Sequence, residues 1–432
     1  MLPGEGSFMN ANNVNGMRRE RAVAARLIAL FCLGLVISPF IGACNRLSPE
    51  MRGKVFLDLN GNNLPDPGEK GMEGVLVTNG EAFKRTDFEG NFRLSSDGAI
   101  NIWISSPRGY QPVESFFLPV EPSRGEYNFG LSPAKEGKEE MVRVAFGSDL
   151  HLSDNPSISS QVEIAIEAIK NSRPHAVFML GDLHGDANSA EPLQAESIFK
   201  EVNKFRERLL VPSYCALGNH DIFGWSAEGD SPSKHPLLGK LMFEKLIGPR
   251  FYSLNIAGVH LIVLDVLEGK RREEGWNIFG WLDEKQQKWL REDLSTIPSE
   301  TPLIILTHFP LLSSHSAIYR DFFHQSPASK YEYQGYKVGG SYVANLDQWF
   351  SLLGHFRDIT FISGHLHIFE DLALKGREKI LRFYCCGALC VWQGDNEILS
   401  PYLNISFPPG FLLLTLREGK VIEALHKIIE LP

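Results

Sequence analysis

Five times along this chain an apolar run stops at acidic, amide or imidazole side chains, and that repeated design restricts the folds open to it. Asp149 and His151 follow Val142 to Phe146, Asp182 follows Ala176 to Leu180, and Gly218-Asn219-His220-Asp221 follows the approach through Cys215. His308 follows Leu303 to Leu306, and His365 with His367 follows Ile359 to Ile362. Short apolar runs of this kind fit buried strands. In open α/β sheets the carboxyl ends of the strands converge on one crevice, where side chains from distant parts of the sequence can meet. Residues two apart at a strand end project to the same side, so Asp149 with His151, and His365 with His367, each address one point. Mixed carboxylate, imidazole and amide donors suit Mn, Fe or Zn rather than Ca or Mg alone. Two such ions about 3.5–4 Å apart act on one phosphate when a carboxylate is shared between them, and Asp182 is the candidate bridge.

These blocks resemble the ordered signature of the calcineurin-like metallophosphoesterases, D-x-H, G-D, G-N-H-D/E, H and G-H-x-H. Here it reads Asp149-Leu150-His151, Gly181-Asp182, Gly218-Asn219-His220-Asp221, His308 and Gly364-His365-Leu366-His367. One block alone is weak; five in order at strand ends are specific. The resemblance covers roughly residues 141 to 425. It implies that Asp149, His151 and His367 hold one metal and that Asn219, His308 and His365 hold the other, with Asp182 between them. It also implies His220 as the catalytic imidazole near the leaving oxygen, oriented by Asp221. The implied fold is a four-layer α/β/β/α sandwich, and the implied reaction is phosphoester hydrolysis by metal-activated hydroxide with no covalent nucleophile.

The 432 residues exceed one ordinary domain. Arg18, Arg19, Arg21 and Arg26 form a basic stretch before the apolar run Leu27 to Ile37, which has signal-peptide length and is too short to span a bilayer comfortably. The run ends at Ile41-Gly42-Ala43-Cys44, which resembles a bacterial lipobox, so residues 1–43 read as a signal peptide and Cys44 as the lipidated first residue of an envelope-anchored lipoprotein. Asn45 behind it carries no acidic retention signal, and either Met1 or Met17 is the start. Removing four Arg and two Glu with that leader takes 43 basic and 52 acidic residues to 39 and 50, a net charge near −11. Such a surface repels a phosphate-rich polymer, so nucleic acid is not expected as the main partner. The remaining Cys215, Cys385, Cys386 and Cys390 are too few for a disulfide framework, although a bridge from Cys385 or Cys386 to Cys390 is open.

Residues 51–133 read as a small all-β module, with short runs at Lys54 to Leu57, Val75 to Thr78, Phe92 to Leu94 and Ile100 to Ile104 between Gly, Asn and Asp turns. The stretches around Gly53-Lys54-Val55-Phe56, Gly71 to Val75 and Thr86 to Gly90 resemble the transthyretin-like or B-type sandwich modules that precede bacterial phosphoesterase domains. Asp58, Asn60, Asn62, Leu64 by its carbonyl, Asp66 and Glu69 follow calcium-loop spacing, with Asn63 at the position usually held by glycine. An Asn/Asp/Pro-rich hairpin turn without metal reads the same residues equally well. The charged residues 134–140 form a linker to the phosphoesterase domain at 141–432.

Within that domain helices are expected over Ser159 to Lys170, Glu196 to Leu209 and Asp283 to Ile297, the last with Asp283 and Gln286 resembling a capping box. Phe251 to Ile256 and His260 to Val266 pair about Ala257-Gly258, and Phe411 to Leu416 and Val421 to Leu425 about Glu418-Gly419. His184, Asp186, His315, Tyr319, Arg320 and His324 stand near the site in sequence, and the insert from Phe223 through Trp225 to Pro236 is expected to cap the pocket. Asp265 ends a strand but matches no block, and reads as structural.

Purple acid phosphatases carry a tyrosine three places after the bridging aspartate, where this chain has Gly185, and protein serine/threonine phosphatases an Asp-Arg-Gly turn, where it has Leu183-His184-Gly185-Asp186-Ala187. What remains resembles the cyclic-nucleotide phosphodiesterase branch, whose blocks also occur in nucleotidases and phospholipid-cleaving members. An exported location favours environmental or envelope phosphoesters over intracellular signalling nucleotides. The competing reading is an envelope-anchored binding or structural module whose phosphoesterase fold is vestigial, and the completeness of the ligand blocks weighs against it.

Overall fold

Alternating patterns and Gly/Asn turns produce strands from Glu50 onward in the computed structural model, which describes residues 50–134, 141–226, 234–272, 275–315, 331–339, 342–390 and 407–431. The strands β1 (Glu50–Leu57), β2 (Leu76–Thr78), β3 (Phe83–Arg85), β4 (Asn91–Ser95), β5 (Asn101–Ile104), β6 (Tyr110–Pro112), β7 (Phe117–Pro119) and β8 (Phe129–Pro133) form two four-stranded sheets, ordered β4-β1-β8-β6 and β3-β2-β5-β7. In β4 burial alternates, with Phe92 and Leu94 inward and their neighbours exposed, as a half-buried strand requires. Val55, Phe129 and Leu131 of one sheet and Val77, Ile102 and Ile104 of the other are fully buried.

The rest of the chain runs β9 (Val142–Gly147), α1 (Pro156–Asn171), β10 (Ala176–Leu180), α2 (Pro192–Arg208), β11 (Ser213–Ala216), α3 (Leu241–Leu246), β12 (Tyr252–Ile256), β13 (Val259–Val263), β14 (Leu267–Arg272) and β15 (Gly275–Gly280). It continues through α4 (Glu284–Leu294), β16 (Leu303–Leu306), β17 (Tyr331–Tyr333), β18 (Tyr336–Val338), α5 (Leu346–Leu352), β19 (Asp358–Ser363), β20 (Phe369–Lys375), β21 (Ile380–Cys386), β22 (Gly410–Arg417) and β23 (Lys420–Ile428). Two mixed sheets result, ordered β11-β10-β9-β22-β23 and β12-β13-β16-β19-β21-β20. Their central strands are parallel. The runs β10, β13 and β16 are buried throughout, as strands covered on both faces must be. Arg208 of α2 pairs with Glu163 of α1, and Asp293 of α4 reaches Ser253 on β12 and His260 on β13. The architecture is a pair of mixed α/β sheets preceded by a strand-rich region.

That region does not stand apart. Trp103 meets Phe251 edge-on at 5.2 Å, Phe251 meets Trp289 of α4 at 5.1 Å, and Asn101 Nδ2 donates to the Glu244 carbonyl at 2.7 Å. A single buried hydrophobic cluster includes residues of both parts. Most of the expected linker, residues 135–140, lies outside the described residues, as do the leader, Cys44, Tyr319, Arg320 and His324. Among the described residues no helix is long and apolar enough to cross a membrane. Cys215, Cys385, Cys386 and Cys390 are free thiols, so the bridge to Cys390 that the sequence left open does not form.

Candidate binuclear metal site

Every ligand block lies just past a strand that the sequence makes apolar. Asp149 and His151 follow β9, Asp182 follows β10, Asn219 follows β11, His308 follows β16, and His365 with His367 follows β19. The first sheet therefore supplies four of these residues and the second sheet three. Asp149, His151, Asp182, His365 and His367 all have left-handed backbone, with φ between 46° and 70°. Asp and His tolerate that region better than most residues, yet each such position costs on the order of 1–3 kcal/mol and persists only where its surroundings enforce it. Here the turns after β9 and β10 enforce each other: Asp149 N donates to Gly181 O at 3.0 Å and His151 N to Asp182 O at 2.9 Å.

Close approach explains the glycines of the blocks. A Cβ on Gly218 would sit 2.0 Å from Asp182 N, and one on Gly364 would sit 1.7 Å from Ser148 Oγ and 2.8 Å from Asp149 Oδ2. Glycine at 218 lets two loops of the first sheet close on each other, and glycine at 364 lets a loop of the second sheet meet one of the first.

The side chains gather into overlapping groups of metal-ligating atoms: Asp149, His151 and His367; Asp182, His308 and His365; and, joining them, His151, Asp182 and His220. In the first, Nε2 of His151 and of His367 face each other at 3.2 Å, and Asp149 Oδ1 is 3.2 Å from His367 Nε2. In the second, His308 Nε2 lies 3.0 Å from Asn219 Oδ1 and 3.2 Å from Asp182 Oδ2. Asn219 thus joins the second group.

The donors fit cations. His308 Nδ1 is 2.8 Å from the Leu180 carbonyl, which can only accept, so Nδ1 carries a proton and the neutral ring directs its Nε2 lone pair at two oxygens. Without a cation that arrangement is satisfied by a second proton. Burial opposes it, but Asp182 overcomes burial and raises the His308 pKa to about 9. Burial, then the nearby His308, pushes His365 down to about 3, which keeps its imidazole neutral and able to ligate. Burial also opposes ionisation of Asp149 and Asp182, yet the histidines beside them hold both carboxyls below the usual range.

His220 and Asp221 separate. The His220 backbone N–H donates to Asp182 Oδ1 at 2.8 Å, and its ring meets His151 edge-on at 5.1 Å. The expectation that Asp221 orients that ring is corrected. Asp221 Oδ1 accepts from the Leu183 and His184 amides at 2.9 Å and Oδ2 from the Gly218 amide at 2.8 Å, so both oxygens fix backbone. Burial, reinforced by Asp182, moves the Asp221 pKa up to about 8 against the His184 and Gly218 amides. The carboxylate facing His220 Nδ1 is Asp186, at 4.0 Å. Asn188, which sequence reasoning missed, clamps the same turn by donating to Asn219 O and Ile222 O; nothing marks it among the loop's small polar residues.

Other expectations divide. His184 is buried, with Nδ1 accepting from the Asp186 amide at 2.9 Å and its ring against Phe199. Asp265 is structural as expected, buried between Lys240 and Arg250. His315 Nδ1 lies 3.3 Å from Tyr342 Oη. Of the insert, residues 227–233 lie outside the described residues; Trp225 stacks on Trp276 at 4.2 Å. In the N-terminal loop Asp58 accepts from the Asn60, Gly61 and Asn63 amides, Asn60 and Asn62 donate to Asp66, and Glu69 accepts from the Leu59 and Asp66 amides. Asn63 takes φ 55°, the conformation that a glycine supplies at the sixth loop position and that asparagine tolerates.

The sequence profile of the calcineurin-like phosphoesterases matches residues 142–369, just over half of the chain. No curated protein matches. Solved structures similar to this chain include a dimetal phosphatase from Danio rerio (14% identity, 67% of this chain and 99% of that one, TM-score 0.41) and a purple acid phosphatase from yellow lupin, Lupinus luteus (13%, 82% and 68%, 0.38). A third is GAP50, the anchor in the inner membrane complex of Plasmodium (16%, 67% and 89%, 0.39). At such scores none of these likenesses bears on function.

Proposed function

Because this chain belongs to the calcineurin-like phosphoesterase family, we propose that it is a binuclear metal-dependent hydrolase of phosphoesters, diester or monoester. The observation that carries the reading is the pair of donor groups, Asp149-His151-His367 and Asp182-His308-His365, drawn from two sheets and meeting at Asp182. In this reading Asp149, His151 and His367 hold one ion, and Asn219, His308 and His365 the other, with Asp182 shared. Bound there, Mn, Fe or Zn ions would supply Lewis acidity toward a phosphoester and an attacking water.

The protein's own part is positional and protonic. Leu180 O sets the His308 tautomer, and Asp221 holds the Gly218 turn that carries Asn219 and His220. His220 protonates the departing oxygen, a task suited to imidazole. Asp186, four residues after the bridge, is the carboxylate facing its ring, 4.0 Å from Nδ1 and beyond direct hydrogen-bond reach. The test is metal-reconstituted full-length protein assayed on aryl phosphate mono- and diesters beside Asp182→Asn. Hydrolysis that needs added metal and is lost with both ions in Asp182→Asn supports the reading; two ions retained in an active Asp182→Asn protein would overturn it, and an inert wild-type protein would favour the vestigial binding module.

We further propose a chain divided into a signal peptide at 1–43, a β-sandwich module at 51–133, a linker at 134–140 and the phosphoesterase domain at 141–432, anchored through lipid on Cys44 to an envelope membrane. The support is the basic, apolar leader ending at Ile41-Gly42-Ala43-Cys44. One acyl chain binds only reversibly, so firm anchoring needs more than one on that residue. Fatty-acid label that persisted in Cys44→Ser would refute it. The loop Asp58 to Glu69 is proposed as a calcium site, supported by the left-handed Asn63, and calorimetry showing no calcium uptake by the intact protein would dismiss it.

A further inference from the structure

The last strand, β23, is one edge of the first sheet, and among the described residues its backbone pairs with β22 alone. The edge strands β11 and β12 meet the N-terminal region, where Phe116 packs against Tyr214 of β11 at 6.1 Å and against Tyr252 of β12 at 4.7 Å. β23 is nine residues long and exposes Ile422 (43%), Leu425 (38%) and Ile428 (61%). Its one irregularity is near its start, opposite Thr415 and Leu416, and Glu423 to Ile428 keep an unbroken register. His426 stacks on Phe369 of the second sheet at 4.8 Å, and Glu423, Leu425 and Lys427 share the opposite face of the strand. The undescribed residues 391–406 rejoin the chain at Phe407, at the Ile428 end of β23, and residues 135–140 rejoin it at Met141, toward the other end of the sheet.

A long edge strand with exposed apolar side chains is a template for another strand. Its own sequence suits a second copy. Alternate residues of a strand direct their amides outward, so two antiparallel copies related by a two-fold axis must cross at a residue and not between two. Crossing at Leu425 sets that residue opposite its own copy, Glu423 opposite Lys427 on both sides, and Ile422 near Ile428. Crossing at Ala424 would set Glu423 opposite Leu425 and Ile422 opposite His426, and crossing at His426 would set Leu425 opposite Lys427. Of the three, the first alone matches apolar with apolar and charge with countercharge, and such cross-strand pairs fix register. The side chains it covers are the three apolar ones that a single chain leaves exposed.

We propose that β23 pairs antiparallel with β23 of a second copy about a two-fold axis at Leu425, joining the five-stranded sheets of two chains into one continuous sheet. None of the grouped metal-donor residues lies on β22 or β23, so the association does not rearrange them.

Sedimentation of the full-length, metal-loaded protein in detergent measures the association. The wild-type protein should dimerise in the micromolar range. Glu423→Lys and Lys427→Glu each turn both cross-strand ion pairs into like-charge pairs, and each should weaken the dimer by about tenfold or more. The double variant exchanges the signs and should dimerise again, as should an equimolar mixture of the two single variants. Recovery in the mixture separates pairing between chains from an effect within one chain, and circular dichroism checks that each variant is folded. A monomeric wild-type protein, a dimer indifferent to both single variants, or a double variant or mixture that stays monomeric would overturn the proposal. Protection from hydrogen exchange of all the β23 amides, rather than alternate ones, at a dilution where the protein is monomeric would also overturn it, because the chain itself would then occupy the edge.

Discussion

His220 and Asp221 are adjacent in sequence and do unlike work. His220 presents a half-exposed ring to the ligand group, so His220→Ala should retain both ions while turnover falls by about 10²–10⁴-fold, the usual share of acid–base catalysis. The loss should be larger for alkyl than for activated aryl leaving groups, which need less protonation; equal losses would argue against the acid role. Asp221 instead ties three amides, so Asp221→Ala would leave them without an acceptor and cost about 1–3 kcal/mol, read as a lower thermal midpoint. The donor residues that gather at the candidate site were legible in the sequence because strand ends and donor types are written there. The contacts of Asp221 and Asp186 were not, since a loop sequence does not state which way a carboxylate points. The thiols give a pH test at the same scale. Burial pushes Cys385 and Cys390 up to about 12 from the ordinary 9.0, so both are neutral in the fold and ionise more readily when it is lost. Their contribution to stability is complete below pH 9, then falls as pH rises toward 12, and native protein at pH 8 should resist alkylation that proceeds readily in denaturant. Rapid native labelling would contradict their burial.

Among the elements, the long helices and the strands before each ligand were readable from period and apolar length, with ends displaced by a few residues. The helix expected over Asp283 to Ile297 spans Glu284–Leu294, and Asp283 caps it by accepting from the Lys285 and Gln286 amides. Gln286 does not complete the reciprocal box. Its side chain donates to the Asp265 carbonyl and accepts from the Asp265 amide, a tertiary demand that overrides the local motif. The hairpin β14–β15 was missed because Leu267-Glu268-Gly269-Lys270-Arg271 shows no alternation; its place is set by pairing and by the stack of Trp225 on Trp276. The turns between elements carry the sharpest constraint. Gly364→Ala would force a Cβ into Ser148 and toward Asp149, so it should lower stability by about 1–3 kcal/mol and reduce bound metal below two ions per chain. Full occupancy at an unchanged thermal midpoint would show that the turn can shift.

At the scale of the whole molecule, a strand-rich stretch ahead of an alternating α/β stretch was legible from turn spacing, but the union of the two in one buried cluster was not, because nothing in either stretch announces the face it turns to the other. Trp103, Phe251 and Trp289 run as one aromatic contact chain from β5 to α4, within a single buried cluster. Trp103→Ala should therefore cost about 3–5 kcal/mol and lower one shared calorimetric transition. Two separate transitions in the wild-type protein, only one of them moved by the substitution, would show that the parts unfold independently. The ligand residues, too, belong to the whole rather than to either sheet, with Asp149, His151, Asp182 and Asn219 on one side and His308, His365 and His367 on the other. Ions held between them would act as cross-links, and a chain lacking them would keep its sheets together by packing alone. Proteolytic lifetime would then record loading, so that a shortage of metal shortens the protein's survival as well as slowing its turnover.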